Sequence, residues 1–254
     1  MKCVRHIFIF LREPFAHAGL VKKGINVVSR IMTAKIKCSA IQFMPFGKSR
    51  ILLSMVFSLL VTCGVCCTSL KRLAYEGFWR DSWQHPEQVI HALEIQRGQH
   101  IADLGAGSGY FTFRFADAVG PAGKVYAVDI DPGMNKYVKK QAGKSDYQHI
   151  EVIRAQYYDP LIPGDGVDLI FTCNTYHHLK DRVTYFAQAQ KYLRPGGRVA
   201  IIDFNGKGWF FKIFRHFTTS EVIKKEMELA GYHLQHEFNF LPRQHFLVFS
   251  QDKK

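Results

Sequence analysis

Cysteine is scarce in most of this chain. Of its six cysteines, only Cys173 lies beyond residue 75, which excludes an internal network of disulfide bonds from the larger, C-terminal part. Cys63, Cys66 and Cys67 lie close together near the other end, but no second group of ligands follows them in the sequence. We therefore predict no bound metal.

Acidic residues are almost missing from the first 75 positions. Glu13 is the only one there, against 12 Lys and Arg, whereas residues 76–254 carry 22 basic and 20 acidic residues. Most of the net charge of +13 thus precedes residue 76. A nucleic-acid-binding domain carries its basic excess on the folded part, so this distribution disfavours nucleic acid as a partner.

Charge is absent from residues 51–70, ILLSMVFSLLVTCGVCCTSL, although basic residues flank them on both sides. Twenty residues are just enough for a spanning helix, and a cleaved export or lipoprotein signal fits equally well. We expect a basic segment at 1–50 that an export signal would remove, a hydrophobic signal or anchor at 51–70, and one domain at 76–254. The protein would then be membrane-associated or exported, or cytoplasmic if the true start lies downstream; an organelle presequence is a further alternative.

Residues 76–254 alternate short β-rich runs with helical patterns, which is typical of an α/β sheet with helices on both faces. The first five runs are predominantly apolar and are predicted to be buried on both faces, as parallel strands are, and a linker too short for a crossover makes the last two antiparallel. We predict strands at 100–104, 124–130, 150–155, 167–173, 197–204, 232–238 and 244–250, and helices at 85–93, 110–119, 133–140, 181–193 and 219–230. Thr218 and Glu221 are spaced as a capping box, and Gly231 is placed to end the last helix.

Three glycines at alternate positions follow the first predicted strand, in ADLGAGSGYF at 102–111. Glycine allows a ligand to approach the backbone closely at the carboxyl edge of the sheet. A dinucleotide fingerprint would place its third glycine at 110, where this chain has Tyr110, and no lysine follows as in a phosphate-binding P-loop. The second predicted strand ends at Asp129, which is placed to accept hydrogen bonds from two ribose hydroxyls, with Asp131 as a competitor. The ligand indicated is a nucleoside without a pyrophosphate.

From about Phe78 to Phe249 the chain resembles the class I S-adenosylmethionine-dependent methyltransferases. The resemblance rests on ADLGAGSGYF, VYAVDIDP, GVDLIF, NTYHHL and LRPGGRVAIIDF, which follow one another in the family's order and spacing. It implies a Rossmann-like, mostly parallel, seven-stranded sheet with a reversed last strand, and S-adenosylmethionine as the cofactor.

The resemblance also implies which residues bind that cofactor. Gly105, Gly107 and Gly109 would line its methionine and ribose, Asp103 would help to hold its amino end, and Asp129 would bind the ribose hydroxyls. Many family members have an acid after the third strand that contacts the adenine amino group. Gln156 stands near that place here and could accept the same bond, with Asp159 as an alternative.

Residues that follow the fourth strand face the substrate in this family, which makes NTYHHL the candidate for catalysis. We expect Asn174 to contact the cofactor or orient the acceptor, and Tyr176, His177 and His178 to act on the acceptor. An imidazole is a suitable base near neutral pH. The alternative for either histidine is a structural role in a cap or in packing.

Three further segments are candidates for the rim of the site. Arg80, Asp81 and Trp83 either close over the cofactor or substrate, or seal the sheet. The aromatic and basic residues of 206–217 fit a lid over an apolar acceptor, a membrane surface, stacked bases or plain packing. Residues 243–245, in FLPRQHF, could join the site between the last two strands.

The sequence therefore predicts a methyltransferase that acts on a small-molecule or lipid-like acceptor. An isoaspartate-type protein methyltransferase and a non-catalytic S-adenosylmethionine-binding module are the alternatives.

Overall fold

A computed structural model describes residues 80–145, 147–207 and 217–251. Residues 51–70 and most of the aromatic segment at 206–217 lie outside these ranges. Strands and helices alternate through the described part, as the sequence predicts. The strands are β1 (His100–Leu104), β2 (Lys124–Asp129), β3 (Ile150–Arg154), β4 (Val167–Cys173), β5 (Leu193–Phe204), β6 (Tyr232–Phe238) and β7 (Gln244–Gln251). The helices are α1 (Asp81–Gln84), α2 (Pro86–Ala92), α3 (Thr112–Val119), α4 (Pro132–Lys144), α5 (Arg182–Ala189) and α6 (Ser220–Leu229), and short 3-10 turns lie at Tyr176–His178 and Gln190–Tyr192.

All seven strands form one sheet in the order β3-β2-β1-β4-β5-β7-β6. Strands β1 to β5 pair in parallel with their neighbours, and β7 runs antiparallel to both β5 and β6. This confirms the predicted seven-stranded sheet with a reversed last strand. Because β1, β2, β4 and β5 are parallel, their carboxyl ends meet at one edge, where the glycine loop and NTYHHL begin.

Helices cover both faces of the sheet, as predicted. On one face, Phe115 of α3 packs edge-on against Phe171 of β4, with ring centroids 4.9 Å apart. On the other face, Phe186 of α5 and Met227 of α6 pack against Ile170 of β4 in a separate apolar cluster. Strand β4 is thus covered from both sides, which explains why its sequence is mostly apolar, with Asp168 as its only charged residue.

Four local predictions are wrong. Helix α4 continues to Lys144 rather than ending at 140, and the helix predicted at 181–193 ends at Ala189, before a 3-10 turn. Strand β5 begins at Leu193 rather than Gly197, because Leu193 already pairs with Val167 before the register shifts. Helix α6 is capped by Thr219 rather than Thr218: the Thr219 hydroxyl accepts from the Val222 amide at 3.4 Å, while Thr218 is buried. Gly231 follows α6 with a φ of +84°, which confirms its predicted role in ending the helix. Within the described ranges, no helix has the length and apolarity required to cross a bilayer.

Candidate active site

The loop after β1 bends through three left-handed glycines. Gly105, Gly107 and Gly109 have φ values of +74°, +54° and +85°, a region that L side chains rarely enter. The loop leads into α3, so its backbone amides lie at the N-terminal end of that helix. The glycines therefore permit the turn that joins β1 to α3.

Two of these glycines also lie too close to neighbouring side chains to allow a Cβ, which the sequence does not predict. A Cβ added at Gly105 would overlap the Thr175 hydroxyl and lie 2.5 Å from Thr175 Cγ2. One added at Gly109 would lie 2.7 Å from the Phe113 ring. The side chains of Thr175 and Phe113 thus lie directly beside Gly105 and Gly109.

Asp129 fastens the end of β2 to the glycine loop. Its Oδ2 accepts from the Gly107 amide and its Oδ1 from the Asp131 amide, both at 2.8 Å. A carboxylate oxygen can accept more than one hydrogen bond, so both oxygens can still receive ribose hydroxyls. The competitor Asp131 instead caps α4, where its carboxylate accepts from the Gly133 amide at 2.7 Å. This arrangement favours Asp129 as the ribose ligand.

Asp103 is a buried carboxylate at the end of β1, 3% exposed. Burial raises the pKa of Asp103 to about 7, and a hydrogen bond from Thr112 Oγ1 at 2.6 Å and the charge of Arg80 oppose that rise. A cationic group bound beside Asp103 would favour the ionised form, because opposite charges attract strongly in a poorly solvated site. The position suits the ammonium group of an amino acid.

The raised pKa of Asp103 predicts a pH-dependent cost to stability. Since the folded state holds this proton more tightly than the unfolded state, the contribution of Asp103 to the free energy of unfolding falls as pH rises from about 4 to about 7. Asp103→Asn removes the titration, so the variant should gain stability relative to the wild type across that window. Urea unfolding at several pH values from about 4.5 to about 8 measures the difference. A difference that does not change with pH would contradict the assignment.

On the far side of Asp129, Gln156 follows β3 and is exposed. Its main-chain amide donates to the Asp159 carbonyl at 2.9 Å, which makes a tight turn at the edge of the sheet. The Asp159 carboxylate accepts from Tyr192 at 2.6 Å and from Lys191 at 2.9 Å, so it is engaged elsewhere. Gln156 therefore remains the candidate for the adenine amino group.

A buried histidine–carboxylate pair lies at the carboxyl ends of β4 and β5. His177 Nδ1 donates to Asp203 Oδ1 at 2.6 Å, and the His177 amide donates to Asp203 Oδ2 at 3.1 Å. The two side chains are 7% and 0% exposed. The carboxylate fixes the ring orientation and the tautomer, which leaves Nε2 as the basic nitrogen.

The other residues of NTYHHL have different surroundings. Asn174 has a left-handed φ of 56°, and its side-chain oxygen accepts from Gln244 at 2.7 Å. Tyr176 is buried in the core, where its hydroxyl donates to Glu226 at 2.8 Å, so we withdraw it as a catalytic candidate. His178 is exposed, with its ring centroid 4.0 Å from that of His177.

Entry residues 80–84 are held against both the glycine loop and the sheet. The Asp81 carboxylate accepts from the Tyr110 hydroxyl and from Arg114 Nη2, at 3.1 Å in the latter case. The Arg80 guanidinium lies 3.7 Å from the Tyr110 ring centroid, and Trp83 packs near Phe204 of β5. Tyr110 thus connects the entry segment to the loop at the position where a dinucleotide fingerprint would have glycine.

An open cleft of about 870 Å³ lies beside this junction. Its lining includes Arg80, Ser108 and Tyr110 and continues along α3 and α4 to Tyr137. Neither Asp129, Asn174 nor His177 belongs to that lining. We therefore locate the site by the polar groups at the carboxyl edge rather than by this cleft.

Sequence reasoning misses Asp203, Gln84 and Thr175. Of these three, only Asp203 could have been found from the sequence, because it is an acid within the otherwise apolar run VAIIDF. Of the segment at 243–245, Gln244 is buried against Asn174, the Arg243 guanidinium lies 5.4 Å from the Trp83 ring centroid, and burial lowers the pKa of His245. In the described ranges, no cluster of three or more His, Cys, Asp or Glu residues is arranged to hold a metal ion.

The sheet order, the glycine loop and the carboxylate after β2 together define a Rossmann-like nucleoside-binding domain. Residues 101–197 match the family described as "Methyltransferase domain". Among solved structures, an S-adenosylmethionine-dependent methyltransferase from Aquifex aeolicus has the same fold, with a TM-score of 0.66 and 21% identity over 72% of this chain and 97% of its own.

Two curated proteins are similar in sequence to part of the chain. An arsenite methyltransferase from Halobacterium salinarum is 30% identical over 42% of this chain and 27% of its own length. A ubiquinone/menaquinone biosynthesis C-methyltransferase from Hahella chejuensis is 28% identical over 46% of this chain and 47% of its own. This chain spans less than half the length of either relative.

Residues 101–197 thus match a methyltransferase domain, and the described part has the fold of a solved S-adenosylmethionine-dependent methyltransferase.

Proposed function

We propose that the domain transfers a methyl group to a small-molecule or lipid-like acceptor by in-line displacement. The observation that carries the proposal is the buried His177–Asp203 pair at the carboxyl edge, three residues after Asn174 and one strand from the glycine loop. When bound, S-adenosylmethionine supplies a methyl group on a sulfonium, and its transfer neutralises that charge. Much of the rate then depends on alignment of the acceptor with the methyl group.

The carboxyl edge offers a suitable group for each part of the cofactor. The buried Asp103 carboxylate suits the ammonium, Asp129 suits the vicinal ribose hydroxyls, and the exposed Gln156 amide suits the adenine amino group. The glycine loop has no lysine for a phosphate, in agreement with a nucleoside that lacks one. These assignments agree with those that the resemblance implies.

His177 is proposed as the base that takes a proton from the acceptor. Because Nδ1–H is bound to Asp203, Nε2 accepts the proton, and the buried carboxylate then stabilises the imidazolium. A base of this kind serves acceptors that must lose a proton to become nucleophilic, such as hydroxyls.

The proposed class of methyl acceptor is supported by the names of the curated relatives. The two curated relatives are named for arsenite and for ubiquinone and menaquinone biosynthesis, which are small or lipid-soluble molecules. Delivery of the domain to or across a membrane by residues 51–70 stays a prediction.

His177→Gln should lower kcat by about 10²-fold, because the general base is lost. Affinity for S-adenosylhomocysteine should change little, since the cofactor groups are untouched. Release of S-adenosylhomocysteine from S-adenosylmethionine, assayed with quinols, phenols, thiols and arsenite, measures kcat. His91→Gln, at an exposed histidine of α2, is the matched control.

Equal kcat in His177→Gln and the wild type would remove His177 from the mechanism. A wild-type protein that binds the cofactor but turns over no acceptor would favour the alternative of a non-catalytic binding module.

A further inference from the structure

Four side chains form a continuous chain of hydrogen bonds from the entry segment to the end of β4. Arg80 Nε donates to Gln84 Oε1 at 3.2 Å, and Gln84 Nε2 donates to Gln244 Oε1 at 2.6 Å. Gln244 Nε2 then donates to Asn174 Oδ1 at 2.7 Å. The chain therefore runs from a guanidinium, through two amides, to the candidate that follows β4.

The direction of this chain is set at its first member. A guanidinium only donates, whereas each amide can be turned to exchange its oxygen and nitrogen. Turning Gln84 alone would place its NH₂ group against the Arg80 N–H, and turning Gln244 alone would oppose two donors at one end and two acceptors at the other. Because Gln84 and Gln244 are 0% and 3% exposed, water cannot relieve such a mismatch.

One consequence concerns the last amide. Its oxygen receives the Gln244 donor, so the Asn174 NH₂ group is the end of the chain, and among the described residues that nitrogen has no protein partner. The Asn174 main-chain amide donates to the Ile202 carbonyl at 2.8 Å, which holds the residue at the junction of β4 and β5. Asn174 therefore offers hydrogen-bond donors at the edge where His177 also lies.

We propose that Asn174 binds an oxyanion of the methyl acceptor, a phenolate or enolate oxygen, and that Gln84 and Gln244 are positioning residues that turn its NH₂ group toward that oxygen. This inference rests on the proposed methyltransferase function and names its substrate class. His177 takes the proton from the hydroxyl, and the Asn174 donors stabilise the negative charge that remains. S-adenosylmethionine would supply the methyl group and leave as S-adenosylhomocysteine, and the methyl group would bond either to that oxygen or to a carbon conjugated with it. A phenol methylated on a ring carbon then loses the proton of that carbon to solvent and takes back the proton held by His177.

Gln84→Glu should reverse the donor-to-acceptor direction of these hydrogen bonds, although residue 84 is not itself in the proposed acceptor site. The carboxylate still accepts from Arg80, but its second oxygen requires Gln244 to donate toward residue 84. Gln244 then presents its oxygen to Asn174, which must turn its NH₂ group inward and its oxygen outward. Asn174 should then present a hydrogen-bond acceptor, rather than hydrogen-bond donors, to the bound substrate, although neither Asn174 nor His177 is replaced.

The test uses the full-length protein saturated with S-adenosylhomocysteine. The probe is 4-nitrophenol, whose ionised form absorbs visible light. In the wild type we expect the bound probe to titrate with a pKa lowered by about one unit, which corresponds to about tenfold preference for phenolate. Gln84→Glu and Asn174→Asp should abolish that preference or reverse it. Gln251→Glu, the same change at the opposite end of β7, should titrate as the wild type does.

The proposal is overturned if the wild-type complex binds no probe, if it binds phenol and phenolate equally, or if Gln84→Glu retains the wild-type preference. Thermal unfolding identifies a variant that fails to fold, and the other variant then decides. Failure to bind S-adenosylhomocysteine would instead count against the proposed function. With a substrate in hand, the labelled methyl group on oxygen or on carbon distinguishes the two products, and methylation of amines alone would contradict the proposal.

Discussion

Asp129→Ala should lose nearly all affinity for S-adenosylmethionine. The carboxylate is proposed to accept two ribose hydroxyls, and hydrogen bonds to a charged group contribute about 1.5–3 kcal/mol each, so we expect a loss of about 10²- to 10⁴-fold. The same change removes the carboxylate that accepts from the Gly107 amide, so the hydrogen bond between the glycine loop and β2 is also lost. Calorimetric titration of the full chain measures the affinity.

Two controls separate these effects of Asp129. Asp129→Asn keeps one carbonyl oxygen and should lose less affinity than alanine. Asp131→Asn changes the neighbouring cap of α4 without touching the proposed ribose ligand and should bind as the wild type does. Unchanged affinity in Asp129→Ala would remove this residue from the cofactor site.

Gly105→Ala should destabilise the domain and weaken cofactor binding together. A left-handed φ costs an L residue about 1–2 kcal/mol, and overpacking adds about 1–3 kcal/mol, so we expect a loss of about 2–5 kcal/mol in the free energy of unfolding. The overlap with the Thr175 hydroxyl forces either the loop or the end of β4 to move, and both belong to the site. Chemical denaturation measures stability, and calorimetry measures binding.

Gly98→Ala isolates the backbone cost, because Gly98 has a φ of +86° but no atom within 4 Å of an added Cβ. It should be destabilised less than Gly105→Ala and bind the cofactor normally. Thr175→Ala should partly restore Gly105→Ala, since it removes the hydroxyl and the methyl that overlap the new Cβ. Equal losses at positions 98 and 105, with no rescue, would show that the contact with Thr175 is unimportant.

Periodicity was sufficient to predict most of the fold. Strand β4 is mostly apolar because helices cover both of its faces, and the boundaries predicted for it were confirmed. Leu193 was missed as the start of β5 because Pro195 and Gly196 interrupt the run, although its pairing with Val167 precedes the interruption. A local sequence pattern carries no information on a pairing that depends on another strand.

The site was less predictable because its side chains meet only in three dimensions. Gln84 and Gln244 are 160 positions apart, and the sequence around each of them does not indicate that its side chain forms a buried hydrogen bond. Tyr176 lies between candidates that face the edge, but its position in the 3-10 turn directs its hydroxyl to Glu226 of α6. His177 could be proposed from the family resemblance, whereas its partner Asp203 required the register of β4 and β5.

The most direct test of the account is calorimetric titration of the full chain with S-adenosylmethionine and, separately, with S-adenosylhomocysteine. We expect micromolar binding of both compounds, and the affinity should rise as pH rises through about 7, because Asp103 must ionise to pair with the ammonium group. A folded protein that binds neither compound at any pH would contradict the assignment of the glycine loop, Asp103 and Asp129 to this cofactor.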